Sequence, residues 1–283
     1  ARFSDVPEPK PVPSGLMCQI NNLGQMVINA RAHFMGLIEL IGQLLLDCLR
    51  LLRNPLRGPW RDISGHLYAT GATALPITAL VGFLIGIVLS YLSSLQLKTF
   101  GADIFIVNLL GISVIRELGP VIVAVLVAGR SGSAMTAQIG VMRVTEEIDA
   151  LATMGISRSI RLVLPKVAAL SLAMPLLVIW CSAAGIVGGM VSANLEMGLA
   201  YGYFVETLPR VVPVANVWIA LGKGFFFGML IALIACHFGL KVRPNTESLS
   251  SKTTSSVVTA ITVVIIVDAV FAVLTRSVGM PAV

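Results

Sequence analysis

The sequence predicts an all-α membrane protein with five transmembrane helices. An N-terminal amphipathic interfacial helix precedes them, and a short cytoplasmic helix lies between the second and third spans. Hydrophobic residues make up 56% of the 283 residues and charged residues only 12%, against roughly 25% charged residues in an ordinary soluble domain. With a mean hydropathy of +0.91, the chain has too little polar surface for a soluble enzyme or a nucleic-acid-binding protein, despite its net charge of +6.

Residues 1–32 are predicted to form a disordered, proline-rich tail. Four prolines at alternate positions, Pro7, Pro9, Pro11 and Pro13, stand among charged residues near its start. The opening residues lack the apolar core of a signal peptide, and their composition is typical of disorder.

Residues 33–62 are predicted to form the amphipathic interfacial helix and the elbow that follows it. Between residues 33 and 54, polar side chains recur at spacings of four, four, three and four, which places them on one face of a helix. These residues are Glu39, Gln43, Asp47, Arg50 and Asn54. An apolar helix with such a polar stripe is suited to the membrane interface, although a packed helix of a soluble domain is the alternative.

Residues 63–283 are predicted to form the transmembrane domain. Each of five apolar segments is long enough to cross about 30 Å of hydrocarbon. The segments are 70–95, 105–133, 167–193, 216–239 and 256–276. Eleven basic residues flank the spans on one side and three on the other, so the N-terminus is predicted to be cytoplasmic and the C-terminus to lie outside.

Four ionisable residues fall inside these spans, namely Arg116, Glu117, Lys223 and Asp268. Each unpaired charge at the bilayer centre costs about 2.5–3.5 kcal/mol, so we expect the four, whose charges sum to zero, to pair. Lys223 and Asp268 lie at equal depth, roughly 11–12 Å from the outer surface. Glu117 reaches that level if its helix begins near residue 109. The cluster either braces three helices, lines a gated polar pocket or relays protons.

The most polar part of the chain, 143–166, contains the predicted cytoplasmic helix of about ten residues. Thr145 is suited to cap it, acidic residues Glu146, Glu147 and Asp149 suit its first turn, and Gly155 ends it. Ile148, Leu151 and Met154 form an apolar edge that a soluble partner could bind. A solvated connector, the alternative, would not require that edge.

The sequence indicates no metal site and no ATPase motif. The four cysteines and three histidines lack metal-ligand spacing. No stretch matches the phosphate-binding P-loop pattern G-x-x-x-x-G-K-[ST]. Energy for active transport would therefore come from a partner or from an ion gradient.

Three motifs resemble the signature of the MlaE-type permeases, the membrane subunits of ATP-binding-cassette lipid transporters that work with MCE proteins. They are Glu117-Leu-Gly-Pro120, Ala128-Gly-Arg-Ser-Gly-Ser133 and the run from Gly140 to Leu151. The resemblance implies a homodimer in the bacterial inner membrane that carries phospholipid between inner and outer membranes. It also implies cytoplasmic ATPase subunits, which bind ATP and Mg²⁺, and a periplasmic MCE-domain protein. This chain itself would be non-catalytic and without a cofactor.

The resemblance also assigns roles to residues. The cytoplasmic helix becomes the coupling helix that contacts the ATPase, through Glu146, Glu147, Ile148, Asp149, Leu151 and Met154. The four intramembrane charges would lie beneath a lipid cavity at the dimer interface. We expect that cavity to be lined by Phe83, Ile87, Tyr91 and Leu95 of the first span, opposite Val267 and Phe271 of the fifth.

Two other classes of function remain open from the residues alone. An autonomous ion-coupled carrier would use Glu117, Lys223 and Asp268 as its coupling site. A membrane scaffold without transport activity would gain little from such a costly polar cluster.

Overall fold

The computed structural model describes residues 15–53, 58–101, 105–155 and 157–278, which form helices and turns and no strand. Five helical segments are long and apolar enough to cross a membrane, in agreement with the predicted number of spans. The described helices, in chain order, are α1 (Gly15–Arg53), α2 (Trp60–Thr70), α3 (Leu75–Phe100), α4 (Ile106–Val144), α5 (Glu147–Thr153), α6 (Ser159–Met197), α7 (Tyr201–Val211), α8 (Val214–Leu240) and α9 (Thr246–Leu274).

Helix α1 differs from the prediction in where it begins. It starts at Gly15, so residues 15–32 are helical rather than part of a disordered tail. Residues 1–14 of the predicted tail lie outside the described residues. The prolines that suggested disorder stop at Pro13, and the next proline is Pro55, so nothing in between interrupts a helix.

The polar stripe predicted on α1 is exposed at Glu39 and Gln43, whereas Leu40 packs on the bundle core. Asp47 is the exception, because it is buried and its Oδ1 lies 3.3 Å from Arg50 Nη1. The predicted elbow is partly helical, since α2 begins at Trp60 and joins α3 through a short 3-10 turn at Ala72–Ala74.

Helix α6 lies at the centre of the bundle and packs on α2, α3, α4 and α8. Glycines allow two of these contacts. A Cβ on Gly86 of α3 would lie 1.9 Å from the carbonyl oxygen of Gly185 in α6, and one on Gly228 of α8 would lie 2.6 Å from that of Leu170. Such close backbone approach through small residues is typical of packed membrane helices.

Helices α3 and α9 occupy the least buried positions among the five long segments. Helix α3 packs mainly on α6, whereas α9 packs on α8 and α4. Both leave large apolar side chains exposed on the subunit surface, including Leu84 and Val88 on α3 and Ile265 and Ile266 on α9. In a membrane such faces contact lipid tails or another subunit.

The two ends of the bundle differ in charge. The last residues of α4 and α8 and the first residues of α6 and α9 lie at one end. We call it the basic end, because it carries Arg143, Arg161, Lys166, Lys241 and Arg243. The opposite end carries α7, a short helix that the sequence reading did not predict.

Candidate functional site

The four intramembrane charges predicted to pair lie together in the structure. Lys223 of α8 has no exposed side-chain surface and contacts Glu117 of α4 through its ammonium group. Its Nζ also lies 2.9 Å from Asp268 Oδ1 of α9. Arg116 Nε lies 3.4 Å from Glu117 Oε1. The cluster therefore joins α4, α8 and α9.

A turn of π-helix at Ser113–Leu118 presents the two α4 charges. Such turns insert one extra residue into an α-helix and are frequent at functional sites. Gly119 follows directly, where a Cβ would lie 2.2 Å from Ser182 Oγ of α6. Glycine there lets α4 approach α6. Arg116 and Glu117, although adjacent in sequence, bind different residues of α8, namely Asn216 and Lys223.

Arg116 ties the end of α9 to the bundle. Its guanidinium donates to Asn216 Oδ1 at 3.0 Å, to the Val278 carbonyl at 2.7 Å and to the Thr275 carbonyl and hydroxyl oxygens. The last carbonyls of a helix lack partners within the helix, and Arg116 binds the carbonyls of the turn that closes α9. Asn216 and Thr275 were not predicted as part of the site; the only sequence signal was a polar side chain near the end of each apolar span.

The basic and acidic side chains of the cluster differ in their exposure to solvent. Arg116 and Lys223 are 5% and 0% exposed, whereas Glu117 and Asp268 are 36% and 19% exposed. Asp268 Oδ1 is buried and accepts no hydrogen bond from the described residues, so its contact with Lys223 is an ion pair without hydrogen-bond geometry. The carboxylates thus lie on the accessible side of the cluster, and Asp268 is the less firmly bound of the two.

The cluster consists of two basic and two acidic side chains joined by three ion pairs. Among residues 15–53, 58–101, 105–155 and 157–278, no group of three or more His, Cys, Asp or Glu could hold a metal ion.

The six residues predicted to line a lipid cavity do not come together within one subunit. Phe83 lines a shallow apolar pocket of about 500 Å³ with Trp180, between α3 and α6. Ile87 is half-buried, and Tyr91 and Leu95 are exposed. Helix α3 packs mainly on α6 and α9 packs on α8, and each of them also contacts α4.

On α9, the two predicted cavity residues belong partly to the bundle itself. Val267 packs against the main core. The ring of Phe271 lies 5.5 Å from that of Phe226 and 6.5 Å from that of Phe227, measured between centroids. Phe271 therefore has a packing role within the subunit in addition to any contact with lipid.

A short helix, α5, lies in the segment predicted to form the coupling helix, and it is shorter than the predicted ten residues. It covers Glu147–Thr153, and Glu146 precedes it in the left-handed conformation with φ of 60°. Thr145 does not cap it. Instead the Thr145 hydroxyl donates to the Val141 carbonyl of α4 and to Glu147 Oε1.

The apolar edge of α5 faces the bundle rather than a partner. Ile148 is fully buried and Leu151 is half-buried against the same core. This corrects the expectation that Ile148 contacts a soluble protein, because its burial inside the subunit removes that apolar surface from water. Leu151 is only partly buried, and its contact with a partner stays a prediction. The exposed part of α5 and its flanks carries Glu146, Glu147, Asp149 and Met154.

Two pockets lie at the basic end. One, of about 670 Å³, lies between α1 and the start of α6 and includes Glu39, Arg158 and Lys241 in its wall. Burial, and secondarily the charge of Lys252, lowers the pKa of Lys241. The other, of about 570 Å³, lies between α2, α4 and α6 and includes Lys166.

The sequence profile of the family described as "Permease MlaE" matches residues 63–274. The chain is 33% identical to the "Intermembrane phospholipid transport system permease protein MlaE" of Haemophilus influenzae, over 88% of this chain and 94% of that protein. It is 31% identical to a "Probable ABC transporter permease protein" of Rickettsia bellii, over 87% and 93%. It is 28% identical to the Arabidopsis thaliana protein "TRIGALACTOSYLDIACYLGLYCEROL 1, chloroplastic", over 78% and 62%.

Proposed function

The chain belongs to the MlaE permease family, and from that premise we propose that it is the membrane subunit of an ATP-driven phospholipid transporter. The observation that carries the proposal is its 33% identity, over almost the whole length of both chains, to a permease named for intermembrane phospholipid transport. Five long apolar helices make it a multi-pass membrane protein, and its sequence has no P-loop. ATP and Mg²⁺ would bind a separate ATPase subunit.

The exposed side of α5 is suited to contact that ATPase. Glu147 and Met154 are exposed, while Ile148 and Leu151 fix the same helix to the core. A force applied to α5 would therefore reach the bundle through packed side chains rather than through a flexible loop. Asp149 is bound to Arg143 at 2.6 Å, which ties α5 to the end of α4 as well.

The charged cluster is suited to couple helix movement to the lipid path. Helices α4, α8 and α9 each contribute to it, and α4 leads directly to α5. Displacement of α4 would change the Glu117 contact with Lys223. The ion pair of Asp268 with Lys223 lacks hydrogen-bond geometry, so it is a contact that could separate when the helices move.

A homodimer would create the lipid cavity that one subunit lacks. The exposed apolar faces of α3 and α9 carry Tyr91 and Leu95 on one side and Ile266 and Val270 on the other. Pairing two subunits through these faces would enclose an apolar cavity close to Glu117 and Asp268. In the bacterial inner membrane, with the basic end in the cytoplasm, an MCE-domain protein would bind the opposite, periplasmic end.

The ATPase contact is tested with the double variant Glu147→Lys, Met154→Asp. Both side chains are exposed, so folding should be unaffected. We expect the partner ATPase to co-purify at least about tenfold less, the effect of losing about 1.4 kcal/mol of binding free energy. Glu206→Lys, the same Glu-to-Lys replacement at an exposed position of α7 at the opposite end, is the control. Full retention of the ATPase by the double variant would contradict the assignment.

An autonomous ion-coupled carrier is the second candidate, favoured by the buried contact of Lys223 with Glu117 and Asp268. The two candidates differ in their energy source. Phospholipid movement that requires ATP and the partner ATPase supports the first. Movement driven by a proton or sodium gradient through this chain alone supports the second.

A further inference from the structure

A second buried cation lies far from the charged cluster, at the basic end. Lys166 of α6 is only 4% exposed, and its Nζ donates to Gln138 Oε1 of α4 at 2.8 Å. Within the part of the chain that the structure describes, no carboxylate forms an ion pair with Lys166. A buried ammonium with one neutral acceptor is costly unless an anion completes its coordination.

Lys166 lines a pocket that has room for such an anion. The pocket has a volume of about 570 Å³ and lies between α2, α4 and α6. Its polar wall carries His66, Gln138, Arg161 and Lys166, and its apolar wall includes Val141 and Met142. No carboxylate lines it, and the guanidinium of Arg161 at its edge is held by Asp62 at 2.9 Å.

The pocket lies at the level where phospholipid headgroups are expected. Lys166 immediately precedes the third apolar segment, which begins at residue 167. Gln138 lies five residues beyond the predicted end of the second apolar segment at residue 133, or about 7.5 Å along the helix axis. Basic pockets between membrane helices on the cytoplasmic side are suited to anionic headgroups.

We propose that this pocket binds the phosphate group of an anionic phospholipid from the surrounding leaflet. Lys166 contacts the phosphate from the buried side, and Arg161 contacts it from the exposed edge. Val141 and Met142 pack against the glycerol and the first acyl carbons, which distinguishes a lipid from a free phosphate ion. The site is separate from the transport cavity proposed above and requires only that the chain is embedded in a membrane.

The proposal is tested by native mass spectrometry of the full-length chain in detergent, with added phosphatidylglycerol, diacylglycerol or inorganic phosphate. We expect phosphatidylglycerol to be retained by the wild type and by Lys252→Met. Lys252→Met is a matched control, because Lys252 is a half-buried lysine at the same end of the bundle but outside this pocket. Lys166→Met should retain phosphatidylglycerol at least about tenfold less, and Lys166→Arg should restore part of the retention.

Loss of fold does not explain the expected result, because Lys166→Met removes a buried charge and should melt no lower than the wild type in the absence of lipid. Equal retention of phosphatidylglycerol by Lys166→Met and wild type would overturn the proposal. So would retention of diacylglycerol equal to that of phosphatidylglycerol, or a melting temperature raised by inorganic phosphate but not by the lipid. Loss of the partner ATPase from Lys166→Met with unchanged lipid retention would assign Lys166 to a protein contact instead.

Discussion

Replacing Lys223 by methionine removes the central charge of the intramembrane cluster while keeping a side chain of similar length. Lys223 is fully buried and contacts both Glu117 and Asp268. The variant leaves Arg116 against two carboxylates, so the cluster gains a net charge of −1. Breaking a buried ion pair by removing one partner costs about 3–5 kcal/mol.

The lower end of that range applies here, because Glu117 and Asp268 are partly exposed and solvent reduces the cost of their charge. We therefore expect a loss of about 3 kcal/mol for Lys223→Met. At about 2 °C per kcal/mol for a chain of this size, the melting temperature falls by about 6 °C. Asp268→Asn alone leaves Lys223 bound to Glu117 and should cost only about 2 °C.

The double variant Lys223→Met, Asp268→Asn tests the reasoning. It restores neutrality, with Arg116 bound to Glu117, so most of the loss should be regained and the melting temperature should lie within about 3 °C of the wild type. Tryptophan fluorescence during thermal unfolding in one detergent measures all four proteins. A double variant that loses the sum of the two single effects, about 8 °C, would refute the claim that the cluster is held by charge balance.

Two further predictions concern contacts between helices. Gly86→Ala places a methyl group against the Gly185 carbonyl, so it should lower the free energy of unfolding by about 1–3 kcal/mol, measured by thermal unfolding. Gly222→Ala is the matched control, because a Cβ on Gly222 has open space around it. An equal loss of stability in both variants would contradict the close α3–α6 contact. Arg116→Gln removes the guanidinium donors that bind the end of α9. The amide hydrogens of residues 275–278 should therefore exchange with solvent at least about tenfold faster. Unchanged exchange there would show that Arg116 does not hold that turn.

The pairing of Lys223 with Asp268 could be predicted from sequence because charge burial in a membrane has a large energetic cost. That cost made a partner necessary, and equal depth in two helices indicated which one. Asn216 and Thr275 could not be predicted in the same way. A neutral polar side chain costs less to bury and can bind its own helix backbone, so its position indicates no partner on another helix.

Which surface the apolar edge of α5 contacts could not be predicted from the spacing of its apolar residues. Ile148 and Leu151 mark an apolar edge, but a spacing of three residues does not say whether that edge contacts the subunit core or a partner. The helix start at Gly15 was missed because the proline-rich opening was extended to residue 32. The proposed lipid cavity would depend on how two copies of the chain meet, which the sequence of one chain does not specify.

ATP-dependent phospholipid transfer is the most direct test of the account. Proteoliposomes containing this chain, the proposed partner ATPase and the proposed MCE-domain protein would be loaded with labelled phospholipid, and transfer of the label to acceptor vesicles would be followed. We expect transfer that requires ATP and Mg²⁺ and that falls at least about tenfold with Glu147→Lys, Met154→Asp. Transfer by this chain alone, driven by an ion gradient and unaffected by ATP, would contradict the account.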